Sequence, residues 1–72
     1  MTKEVKIKRA LDLYDFQMEA HRIEYNARFH SLKEDESGQI DGDELLELNM
    51  WDIQEENHIR NDFVKAVLAA AE

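Results

Sequence analysis

Apolar positions recur three and four residues apart over the first thirty residues. Ile7, Leu11, Tyr14, Met18, His21, Tyr25, Arg28 and Leu32 form one such series, with His21 and Arg28 as polar interruptions. That spacing predicts a long amphipathic helix with a heptad-like seam. Leu13, Phe16, Ile23, Ala27 and Phe29 widen the apolar face beyond what a two-stranded coil needs, which suits a bundle. Thr2 is placed to cap the helix, which is expected to run to about Leu32.

A second periodic stretch begins after the only two glycines, Gly38 and Gly42, in a chain without proline. Asp41 and Glu44 have capping-box spacing, so the second helix is expected to start at Asp41. Leu45, Leu46, Leu48, Met50 and Ile53 supply its apolar side, residues 54–58 are entirely polar, and Ile59, Phe63, Val64, Val67 and Leu68 restore the pattern before the helix-favouring Ala69–Ala71. Asp52 and Glu55 repeat the capping spacing, so a break near residues 49–52 is the alternative to one long helix. The expected fold class is therefore all-α. It is a helical hairpin, or three helices if the break is real, in a single domain over residues 1–72. Two helices cannot cover such wide faces alone, so dimerisation into a four-helix bundle is expected to complete the burial. The shortness of the chain and its lack of cysteine point the same way, since neither a large core nor a disulfide supplies stability.

Charge adds an asymmetry. The chain carries a formal net charge of −8. Lys3, Lys6, Lys8 and Arg9 outweigh Glu4 at the start, whereas Glu34, Asp35, Glu36, Asp41, Asp43, Glu44 and Glu47 crowd the middle with no base among them. Nucleic acid and anionic membranes repel such a chain, and a basic protein surface attracts it. In an antiparallel dimer the basic start of one copy would lie near the acidic segment of the other. Val5 to Phe16 is interrupted by five charges, so no signal-peptide pattern is expected, and no run approaches a membrane span. The composition is compatible with the cytoplasm.

The segment Lys33-Glu34-Asp35-Glu36-Ser37-Gly38-Gln39-Ile40-Asp41-Gly42-Asp43-Glu44 is the densest in candidate chemistry. Asp35, Ser37, Gln39 (through its carbonyl), Asp41 and Glu44 fall at the alternate positions of a calcium loop, with Gly38 at the turn. Lys33 stands where the first ligand would be. Glu24, Tyr25, Phe29 and Leu32 before the loop, Ile40 within it, and Leu45 and Leu48 after it complete a pattern that resembles a single EF-hand over residues 24–48. The resemblance implies calcium binding and pairing with a second hand, here through a second chain. The other reading of the same residues is a polar inter-helix turn.

Other groups carry less. His21 is expected to hydrogen-bond within the bundle rather than to act as a ligand or switch, and His30 and His58 to lie on helix surfaces. The clusters His21/Glu24/Tyr25 and Glu55/Glu56/His58 have no accompanying nucleophile elbow, phosphate loop or HExxH, so no enzyme and no cofactor is expected, calcium being the alternative. Trp51 is either core or an interface anchor. The expected function is a non-enzymatic protein-interaction module. It would bind or inhibit a basic macromolecular partner through Asp35, Glu36, Asp41, Asp43, Glu44 and Glu47, with Trp51 as anchor. A calcium module is the second reading, and a nucleic-acid-associated regulator using the N-terminal bases is the third.

Overall fold

A computed structural model describes residues 2–32 and 38–72. Two helices account for nearly all of them: α1 (Lys3–His30) and α2 (Gly42–Ala71), packed as a hairpin, with no strand among the described residues. The molecule is a rod of 58 × 16 × 9 Å, its long axis following the two helices.

The helix ends follow the capping chemistry of the sequence. The Thr2 Oγ1 accepts from the Val5 N–H at 3.2 Å. At the other end of α1, the Ser31 N–H donates to the Arg28 carbonyl and the Leu32 N–H to the Phe29 carbonyl. These tighter bonds satisfy the last carbonyls and close the helix two residues before Leu32. Gly38 has φ +82°, a left-handed conformation that only glycine adopts cheaply. Asp41 is the N-cap of α2, and its Oδ1 accepts from the Asp43 N–H at 2.8 Å, not from the Glu44 N–H that capping-box spacing singled out.

α2 runs unbroken through residues 49–52 and the polar stretch 54–58. Among the described residues there are thus two helices and not three. Asn49 and Asp52 face α1 and find partners there, as described below, and Glu55 and Glu56 are half-buried on the same face.

The inner seam of α1 is Ile7, Ala10, Tyr14, Gln17, Met18, His21, Tyr25 and Phe29, continued by Leu32 just past its end, all buried or half-buried. Leu11, expected in the seam, is exposed. A straight helix repeats at 3.6 residues, not 3.5, so Ala10 takes the inward position at that turn. The α2 seam runs through Leu45, Leu48, Asn49, Asp52, Glu55, Glu56, Ile59, Phe63, Val67 and Ala70. Only Leu48 and Ile59 are buried apolar residues. No helix among the described residues is long and apolar enough to cross a membrane.

Candidate functional site: a polar layer between the helices

The seam divides along its length. Toward the free ends of the helices, the Tyr14 and Phe63 rings pack with centroids 4.8 Å apart. Nearer the connection, polar groups meet polar groups. His21 is 7% exposed, and its Nε2 lies 2.6 Å from Asp52 Oδ1. A carboxylate oxygen accepts, so the His21 tautomer with a proton on Nε2 is the one that donates into this bond. One turn further along α1, the Tyr25 hydroxyl donates to Asn49 Oδ1 at 3.0 Å. No buried side-chain nitrogen or oxygen among the described residues lacks a partner, so the layer avoids the large penalty of a buried polar group left unpaired.

Trp51 caps one side of this layer. Its ring lies 4.8 Å from the His21 ring, tilted by 47°. The Arg28 guanidinium sits 3.9 Å above the Trp51 ring, and Glu24 Oε1 accepts from Arg28 at 2.9 Å. The single tryptophan is half-buried, clamped between an inner imidazole and an outer guanidinium. Arg28, which interrupts the apolar seam in sequence, is the lid of that stack.

On the opposite side a groove of about 670 Å³ opens beside His21. Asp15, Glu19 and Arg22 of α1 and Asp52 and Glu56 of α2 line it along with His21. His21, Asp52 and Glu56 bring one imidazole nitrogen and two carboxylate oxygens within 4.8 Å of one another.

The acidic residues singled out from the sequence occupy a different place. Asp41 caps α2, and Asp43 and Glu44 fill its first turn, where carboxylates are favoured by the helix dipole. Asp43 and Glu47 are exposed, and Glu44 is half-buried beside Arg28 and Leu32. Gln39 is exposed. Asp35, Glu36 and Ser37, together with Lys33, lie outside the described residues. Trp51 adjoins Glu44 and Glu47 along a shallow groove, so it is the one sequence-predicted residue shared by the acidic end and the polar layer. His58 is on the surface as expected, 3.5 Å from Asp62 in the next turn.

Sequence reading placed His21 in the seam but missed its partners. Asn49, Asp52 and Glu56 look like interruptions of an apolar pattern, yet they recur at helical spacing on the face that carries Leu45, Leu48 and Ile59. Polar residues on an inward face, opposite a His and a Tyr on the other helix, were the available signal. Comparison of the chain with protein-family models, curated proteins and solved structures finds no match.

Proposed function

We propose that this chain is a non-enzymatic protein-interaction module, a helical hairpin that pairs with a second copy of itself and offers its acidic end to a basic protein surface. The observation that carries the reading is a second apolar stripe on each helix, turned away from the seam. On α1 it comprises Leu13, Phe16, Ala20, Ile23 and Ala27, with Phe16 71% and Ile23 64% exposed. On α2, Leu46, Met50, Ile53, Val64 and Leu68 are all exposed.

The area supports a partner. The chain exposes 5886 Å², whereas a compact monomer of 8.5 kDa would expose about 4,650 Å². The excess of about 1,200 Å² comfortably holds the ~800 Å² per partner of a stable interface. Charge supports a second copy in reversed orientation. Lys3, Lys6, Lys8 and Arg9 begin α1 at one end of the rod, and Asp41, Asp43, Glu44 and Glu47 begin α2 at the other. An antiparallel pairing of α1 on α1 about Ala20 is self-complementary under two-fold symmetry. It covers Phe16 and Ile23, and the small Ala20 and Ala27 let the helices approach closely. It also brings the basic start of each α1 near the acidic end of the other copy, which shares that end with the basic partner.

The two stripes lie on outward sides of the hairpin, roughly 125–140° around each helix from the seam. One α1–α1 contact therefore leaves the α2 stripe uncovered. Sedimentation equilibrium tests the pairing. The expected result is a dimer at micromolar concentration that weakens as salt rises and becomes a monomer, still helical, in Phe16→Glu. A monomer at high-micromolar concentration and low salt sinks the self-association reading. For the acidic end, Asp43→Lys with Glu47→Lys should abolish the binding of a lysine-rich peptide in calorimetry; unchanged binding would remove these residues from the site.

A further inference from the structure

We propose that His21, Asp52 and Glu56 form a binding site for a divalent transition metal of the zinc class, a property separate from self-association. Asp52 and Glu56 are four residues apart on α2, one turn above the other on the same face. His21 projects from α1 toward them, so three ligand atoms from two facing helices lie within 4.8 Å of one another. Metal sites in helical bundles are built in this way, from side chains converging out of neighbouring helices.

The geometry needs only small adjustments. Metal–ligand bonds of about 2.0–2.2 Å in a tetrahedron put ligand atoms roughly 3.3–3.5 Å apart. His21 Nε2 and Asp52 Oδ1, now 2.6 Å apart, open by less than about 1 Å, and the metal takes the place of the proton between them. The Glu56 carboxylate, on a flexible half-buried side chain at the groove edge, closes in from its present distance. Three protein ligands leave a fourth position facing the groove for water.

Ligand chemistry selects the ion. An imidazole with two carboxylates and no thiolate suits Zn²⁺ and its neighbours, whereas calcium and magnesium prefer all-oxygen sites. The groove adds attraction, because Asp15 and Glu19 join the two carboxylate ligands there and only Arg22 opposes them. The site is distinct from the calcium-loop register of Asp41 and Glu44, which lies at the beginning of α2.

The test is calorimetric titration of the full chain with Zn²⁺, in the presence of excess Ca²⁺ and Mg²⁺. The sole tryptophan gives a second readout, since Trp51 lies against the His21 ring and its fluorescence should be quenched by Co²⁺ bound there. Expected is one metal per chain with micromolar affinity or better. Glu56→Gln sits at the groove edge and should keep the helical signal of the parent, yet weaken binding by roughly tenfold or more. His21→Ala should abolish both binding and quenching. His58→Gln removes the exposed His58–Asp62 pair and should change neither. No Zn²⁺ binding in the parent overturns the proposal. So does binding that survives Glu56→Gln and His21→Ala, that follows His58, or that excess calcium displaces.

Discussion

The two halves of the inter-helix seam do different work. At the free ends, Ile59 is buried and Tyr14 packs on Phe63, with Ile7, Ala10 and Val67 alongside. These contacts are non-directional, and a slip of one helix along the other would replace one apolar neighbour with the next. Nearer the connection, His21 bonds Asp52 and Tyr25 bonds Asn49. Those bonds exist in one register only, and any slip leaves buried polar groups unpaired. The apolar contacts, which include Leu48 beside the polar pairs as well as Ile59, supply the attraction, and the polar pairs select which hairpin forms. A polar group that specifies register at some expense of stability is well attested in helical assemblies.

The comparison breaks first at Ile59. Ile59→Ala should cost about 2–4 kcal/mol through lost burial and the cavity left behind. That is most of the stability a chain of this size is expected to have, so the variant should be largely unfolded by circular dichroism at the concentration where the parent is helical. A loss below about 1 kcal/mol would mean that the apolar half is not the source of attraction.

The polar half answers next, in a way that separates energy from specificity. Asp52→Ala should cost about 1–3 kcal/mol, because it strands the His21 imidazole in the seam. The double change His21→Leu with Asp52→Leu should recover that loss, or exceed the parent, by replacing a desolvated pair with apolar packing. If register is what the pair selects, the double variant will be stable in urea melts but will show more than one set of amide resonances. A single sharp set would transfer the selecting role to Tyr25 and Asn49. Tyr25→Phe probes that pair directly, with an expected loss of about 1 kcal/mol.

These effects bear on what the sequence made legible. The two helices, their capping residues Thr2 and Asp41, and the inward position of His21 all follow from local rules, because capping and periodicity are settled within a few residues. The identity of His21's partner does not, because it depends on how far one helix slides along the other. Asn49 and Asp52 carry no mark of inwardness except their spacing from Leu45, Leu48 and Ile59. The same gap explains Leu11, expected in the seam, and Leu13, Phe16 and Ile23, expected to widen its apolar face, all four of which are exposed. Two helices in contact share one narrow strip, and a wide apolar arc on either must extend beyond it. The acidic residues at the start of α2 were legible as charge, and the groove beside His21 was not, since it exists only where the helices meet.

The smallest expected effect lies at the outer edge of the polar half, where Arg28 covers Trp51. Two interactions compete to explain that arginine: the ion pair with Glu24 and the stacking on the indole. The ion-pair side chains are 50% and 54% exposed, and exposed pairs four apart on a helix contribute only about 0.3–0.5 kcal/mol. A guanidinium over a tryptophan face contributes about 0.5–1 kcal/mol at an exposed site. Arg28→Lys keeps the positive charge within reach of Glu24 but loses the flat surface that covers the ring. It should therefore cost more than Glu24→Gln, by a few tenths of a kcal/mol, and should shift Trp51 emission to longer wavelength as water reaches the indole. Equal losses with unchanged emission would make the ion pair the reason for Arg28. The wall of the polar half would then end at Trp51 itself, leaving the indole an open surface rather than a covered one.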